Sequence, residues 1–239
     1  MSTSVSVVRD ADLLAAATGA RLLLALADAQ AARGEASVVL TGGGIGIALL
    51  EQAAASPLLG AVDWRRVDVW WGDERFVPAG DDERNELQAR RALLDRLDLD
   101  PARVHPMAAS DGPDGDDVDV AAARYAAELG DAFAPDVLLL GVGDDGHTAS
   151  LFPGRPGPRD DRLALGVQDS PKPPPTRISL GLTALNRARE AWFVVAGEAK
   201  AGVVARALAG ADPAELPPAG VRGTGATRWL LDEAAARQL

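Results

Sequence analysis

The chain of 239 residues contains no cysteine. Disulfides, zinc–thiolate sites and thiol nucleophiles are therefore excluded. Only two histidines are present, His105 and His147. A three-histidine metal site cannot be assembled within one chain, and the expectation is no metal. Cationic residues are also scarce: 24 Lys and Arg stand against 35 Asp and Glu, a net charge of −11. That balance argues against nucleic acid and anionic membranes as partners, because both require basic patches. It leaves room for a small anion, which needs only a few local cations. Long apolar runs are missing too. The most apolar stretch, Leu13 to Ala27, is interrupted by Arg21, followed by Asp28, and too short to span a bilayer. The N-terminal segment has no basic stretch leading into an apolar core, so no signal peptide is expected and the cytoplasm is the expected location.

What is present is an alternation of β-rich and Ala/Leu-rich segments. Apolar residues at Leu13, Leu14, Ala17, Ala20, Leu24 and Ala27 predict a helix over 10–32, with Asp10 or Asp12 near its start and Gly34 past its end. Further helices are expected at 45–55, 83–97, 120–129 and 197–208, and a last one in the Ala-rich tail. Buried strands are expected at 37–41, 67–71 and 136–142, with others at 177–180 and 192–195. Residues 111–119 hold five Asp and read as a solvated loop. The Pro-rich stretches 153–161 and 171–175 read as surface connections. No repeat and no long linker divides the chain, so a single domain over residues 1–239 is expected. Continuous apolar strands separated by helices predict an α/β fold, a mostly parallel sheet covered on both faces. Trp70, Trp71, Trp192 and Trp229 are expected in its core.

In such a sheet ligands bind beyond the carboxyl ends of the strands. Three unusual clusters follow expected strands and could converge there. The first, Thr41-Gly42-Gly43-Gly44, lies between a strand and a helix. It is either a tight turn or an anion cradle of backbone N–H groups at a helix N-terminus. It matches neither the dinucleotide-binding glycine spacing nor a P-loop. The second, Gly72-Asp73-Glu74-Arg75, is either a solvated charged turn or a pair of ligand-ordering groups, Asp73 and Arg75. The third, Gly143-Asp144-Asp145-Gly146-His147-Thr148, is the sharpest. Two glycines permit a tight turn, and Asp145 stands two residues from the side chain best suited to exchange a proton near neutral pH. Its placement favours a functional His147 over a merely structural one. His105, between Val104 and Pro106, reads as structural or exposed. Arg177 and Lys200 each read alone as surface charges; together they are the kind of cations that neutralise a phosphate.

Taken in order, Leu40-Thr-Gly-Gly-Gly44, Trp71-Gly-Asp-Glu-Arg75, Gly141-Val-Gly-Asp-Asp-Gly-His-Thr-Ala-Ser-Leu-Phe-Pro153, Lys172-Pro-Pro-Pro-Thr-Arg-Ile-Ser-Leu180, Ala196-Gly-Glu-Ala-Lys200 and Trp229-Leu-Leu-Asp-Glu-Ala234 resemble the 6-phosphogluconolactonase family over nearly the whole chain. The resemblance implies a Rossmann-like fold shared with glucosamine-6-phosphate deaminases. It implies hydrolysis of a phosphorylated sugar lactone in the oxidative pentose phosphate pathway, without cofactor. It implies His147 as general base, Asp145 as its orienting carboxylate, and Asp73 and Arg75 at the ring or the reacting carbonyl. Thr41, Gly42, Gly43, Gly44, Arg177 and Lys200 would hold the phosphate. One departure is Ile45, where many relatives carry a polar side chain. The resemblance does not fix an oligomeric state; a monomer is compatible with it. Two other readings are a deaminase-like isomerase and a non-catalytic phosphosugar sensor. The first usually has a Glu in the segment after the histidine, which Thr148-Ala-Ser-Leu-Phe-Pro153 lacks. The second has little need of His147 with Asp145.

Overall fold

A computed structural model describes residues 2–239. Its frame is a six-stranded sheet built from β1 (Ser2–Val8), β2 (Ala36–Leu40), β3 (Val67–Trp71), β5 (Val137–Leu140), β8 (Glu190–Val195) and β9 (Ala226–Asp232). The spatial order is β1-β9-β8-β5-β2-β3, and every neighbouring pair is parallel. A smaller antiparallel sheet is formed by β4 (Asp73–Arg75), β7 (Arg177–Leu180) and β6 (Ala164–Val167), in the order β4-β7-β6. The helices are α1 (Ala11–Arg33), α2 (Gly44–Ala55), α3 (Asn85–Ala92), α4 (Val118–Leu129), the short α5 (Leu182–Leu185) and α6 (Ala201–Leu208).

The central strands read as unbroken apolar runs because both of their faces are buried. Alternate side chains feed two separate cores. Val38, Leu40, Leu139, Trp192 and Val194 pack among α1, α2 and α3. Val39, Leu138, Leu140, Phe193 and Trp229 pack with α4, α6 and the small sheet. All four tryptophans expected inside are buried. Helix α1 begins where the sequence suggests: the Asp10 side chain accepts from the Leu13 N–H at 2.9 Å, and Gly34 closes the helix with φ 83°.

Gly72 is where the chain passes from one sheet to the other. Its N–H still donates to Leu40 of β2, while its carbonyl already accepts from Leu180 of β7, both at 2.9 Å. The segment 177–180 is therefore an antiparallel strand of the small sheet and not a strand of the parallel one.

Three expectations are corrected. The Ala-rich tail after β9 forms turns, not a helix. Asp232 accepts the N–H groups of Ala235 and Gly197, which ties the chain into a turn directly after β9. The helix expected over 83–97 ends at Ala92, because Leu93 leaves helical geometry (φ −142°, ψ −54°), and both Leu93 and Leu94 reach the core. Strand β1 was not expected at all. Its residues are almost all exposed, so backbone pairing with β9 holds it and no burial pattern announces it.

Candidate active site

The carboxyl ends of β2, β3, β5 and β8 open into a cleft of about 470 Å³. Thr41, Gly42, Gly43, Gly44, Asp73, Arg75, His147, Arg177 and Lys200 all line it. Asp145 stands behind His147. A larger groove of about 680 Å³ lies at the opposite end of the sheet, beside Arg21, Asp136, Glu190 and Arg228. Its charges are largely spent on one another, as in the paired contacts of Arg228 with Glu190 at 2.7 and 3.0 Å. The ten residues singled out from the sequence thus belong to one place, at the end of the sheet where α/β folds bind ligands.

The glycine loop leaves β2 and starts α2. Gly43, the residue before the helix, has φ 81°, a left-handed conformation that side chains rarely adopt. No side chain caps the helix. Its first N–H groups are therefore available to an anion, with the helix dipole behind them. Ile45 also lines the cleft, so the cradle is one of backbone rather than of hydroxyls.

The turn after β5 presents His147. Gly143 and His147 close it through Gly143 N–H to the His147 carbonyl, 2.9 Å. The ring packs so near Gly143 that a Cβ there would come within 2.1 Å of Nδ1. Nδ1 lies 2.5 Å from Asp145 Oδ1. Burial works against the charge on Asp145, but the hydrogen bond and charge of His147, with Lys172 beyond, hold its carboxyl below the usual carboxylate range. An ionised carboxylate can only accept, so the proton of the neutral ring sits on Nδ1. Nε2, without a hydrogen-bond partner among the described residues, is left as an acceptor. Phe152 flanks the ring, centroids 4.7 Å apart.

Asp73 and Arg75 come from β4. Asp73 is buried; its Oδ2 accepts from Ser150 Oγ at 2.7 Å, and its carbonyl accepts from Asn85 Nδ2 at 2.9 Å. Arg75 donates from Nη1 to the Glu83 carbonyl, while its Nε has no partner among the described residues. Between them Glu74 points the other way and is completely buried. It accepts N–H groups from Arg75, Asn85 and Glu86 and pairs with buried Arg84 at 3.7 Å. Burial pushes Glu74 up to about 7, against the pull of Arg84 and those donors. Glu74 therefore does for α3 what no local side chain does: it caps the helix from another strand, and so fixes Asn85 against Asp73.

Arg177 is buried, and burial lowers its pKa, with Asp73 pulling the other way. Its guanidinium is heavily engaged. Nε donates to the Pro174 carbonyl, Nη2 to the carbonyls of Lys172 and Pro173, and Nη1 reaches Ser150 Oγ at 3.5 Å. Lys200 sits in the turn before α6 and has no ion pair among the described residues. Sequence reasoning did not single out Asn85, Ser150, Lys172 or Glu74. Glu74, Ser150 and Lys172 all stand inside the motifs that carry the family resemblance, and Lys172 also falls in a Pro-rich stretch expected to be a surface connection.

The family model described as glucosamine-6-phosphate isomerases/6-phosphogluconolactonase matches residues 9–229. The chain belongs to this family. It is 58% identical to a 6-phosphogluconolactonase of Streptomyces coelicolor, over 97% of this chain and 92% of that one. It is 50% identical to the 6-phosphogluconolactonase of Mycobacterium tuberculosis, over 100% of this chain and 99% of the relative. The fold is that of the solved 6-phosphogluconolactonase of Thermotoga maritima, with a TM-score of 0.84 at 25% identity, covering 96% of this chain and 99% of the other. No helix among the described residues is long and apolar enough to cross a membrane.

Proposed function

We propose that this protein hydrolyses the ring ester of 6-phospho-D-glucono-1,5-lactone to 6-phospho-D-gluconate, the lactone-opening step of the oxidative pentose phosphate pathway. The observation that carries this reading is His147: Nδ1 is held by Asp145 while Nε2 has no partner among the described residues, in the cleft that also contains the glycine loop and Lys200. That is the arrangement of a general base beside a phosphate site. Relatives named for the same activity, matched over more than nine-tenths of their own length, support it.

In this reading water is the nucleophile, because a lactone is an activated ester and needs no covalent intermediate. Nε2 takes a proton as the water oxygen bonds to C1. The tetrahedral intermediate then breaks its bond between C1 and the ring oxygen, and the imidazolium returns the proton to that oxygen. Asp145 fixes the ring and stabilises the charge it acquires. Asp73 and Arg75 face the sugar ring and the carbonyl, where developing negative charge needs a donor. The phosphate rests on the backbone N–H groups of Gly42–Gly44, Thr41 and Lys200, and this remote binding aligns the ring for attack. Arg177 contributes its charge from behind, since most of its N–H groups already hold the 172–174 carbonyls and Ser150.

Acid release from freshly generated 6-phosphogluconolactone, corrected for spontaneous hydrolysis, tests the reading. Ammonia release from glucosamine 6-phosphate is measured in parallel. Catalysed acid release without ammonia is expected. Ammonia without lactone turnover would make the protein a deaminase, and tight sugar-phosphate binding with neither product would make it a sensor.

A further inference from the structure

The Pro-rich segment 170–175 is not a passive connection. Ser170 N–H donates to the Pro175 carbonyl, and Ser170 Oγ donates to the Lys172 carbonyl, which folds the segment into a tight knot. The backbone of the knot holds Arg177, as described above, and through Ser150 reaches Asp73. Its one charged side chain reaches the other half of the site. Lys172 Nζ lies 2.5 Å from Asp144 Oδ1 and 3.6 Å from Asp145 Oδ1. The second contact falls on the same oxygen that holds His147 Nδ1 at 2.5 Å.

A cation and an imidazole that share one carboxylate oxygen compete for its charge. An ammonium close to Asp145 weakens the attraction that this carboxylate exerts on a protonated ring. It therefore favours neutral His147, the form that can accept a proton from water. We infer that Lys172 is a positioning residue of the site, with Asp144 as its anchor: its charge, applied through Asp145, sets the balance between neutral and protonated His147. The inference rests on the lactonase reading for its catalytic meaning, but not for its electrostatics. Asp73, Arg75, Arg177, Lys200 and Asp12 line the same cleft, and Asp144 flanks Asp145 in the turn. Among the described residues only Asp145 hydrogen-bonds the ring of His147 through its side chain.

The test compares wild type with Lys172→Met, Lys172→Arg and Asp144→Asn. The readouts are kcat/KM for the lactone against pH and the titration of His147 by NMR. With two histidines in the chain, His105→Gln identifies the resonance. Lys172→Met is expected to move the acid limb of the kcat/KM profile, and the His147 titration, upward by about half a pH unit, because the contact is partly exposed and solvent screens it. That equals about a threefold loss of kcat/KM on the acid side and little change on the plateau. Lys172→Arg restores the wild-type profile. Asp144→Asn releases Lys172 toward Asp145 and moves both readouts downward. A Lys172→Met protein with the same proportional loss at every pH, or with an unmoved His147 titration, overturns the inference. If the wild-type protein does not open the lactone, the functional reading fails, while the NMR titration still decides the role of Lys172.

Discussion

The two histidines stand in the same kind of company and do opposite things. Both are beside carboxylates, and both touch an aromatic ring. His105 has each ring nitrogen engaged, Nδ1 with Glu128 at 2.7 Å and Nε2 with Asp68 at 3.3 Å. It is stacked on Trp70 with centroids 3.7 Å apart and planes 6° from parallel. His147 has one nitrogen engaged and one free among the described residues, in the wall of a cleft. A ring satisfied on both sides can only hold the fold together. A ring satisfied on one side is oriented and still has a lone pair to use. The difference lies in where the turn places the ring, not in the residue type or the number of acids nearby.

The largest expected effect removes the free nitrogen. His147→Asn retains a polar group for Asp145 but has no basic nitrogen in the cleft. Lactone turnover should fall by about 10²–10⁴-fold, the range that a positioned base supplies. Thermal stability and product binding should stay near wild type. Steady-state rates beside a melting curve check this, and an unchanged kcat would remove His147 from the mechanism.

Next in size is the charge that holds the far end of the substrate. Lys200→Ala should lower kcat/KM by about tenfold to a hundredfold, the value of one charge-assisted hydrogen bond. The loss should appear largely in KM, and affinity for inorganic phosphate should fall with it. This sharpens the contrast between the histidines, since among the described residues the cation beside His105 is not free. Its neighbour Arg103 is spent on Asp68 and Glu35.

A smaller effect is expected behind Asp73. Ser150→Ala removes the hydroxyl that holds Asp73 Oδ2, together with the contact from Arg177. A several-fold fall in kcat/KM is expected, the scale of one buried hydrogen bond. Ser150→Thr should recover part of it if the hydroxyl can keep its direction.

What was legible in the sequence follows from burial. Strands β2, β5 and β8 lie inside the sheet, and β3, at its edge, is also mostly buried, so each reads as an apolar run ending where the cleft begins. The site was legible for the same reason: its groups hang directly on those strand ends. Illegible features depend on pairing at a distance. Strand β1 is an exposed edge with no pattern of its own. Glu74 looks like one more charge in Gly-Asp-Glu-Arg. Its fully buried pairing with Arg84 and its capping of α3 appear only when a loop brings residues 84–86 back to it. Lys172 looks like a solvated lysine among prolines until the fold carries it to Asp144 and Asp145.

His105 gives the smallest effect on activity and a distinct one on stability. Burial disfavours its charge, but hydrogen bonds and charge from Asp68 and Glu128 outweigh this and raise its pKa above the ordinary histidine value. A raised value in the folded state means that folding favours the protonated ring. The contribution is fully present below pH 6.5, the ordinary value, and is lost as the pH rises through the raised one. His105→Gln should therefore leave kcat/KM unchanged and lower the Tm by about 2–4 °C at pH 6, equivalent to roughly 1 kcal/mol in a chain of this length. At a pH above the raised value the wild-type ring is neutral, the ionic part is gone, and the difference should shrink to what stacking on Trp70 contributes. An equal Tm drop at both pH values would mean that His105 stabilises by packing alone. The contrast with His147 would then be one of aromatic stacking against proton transfer, and not of two differently used charges.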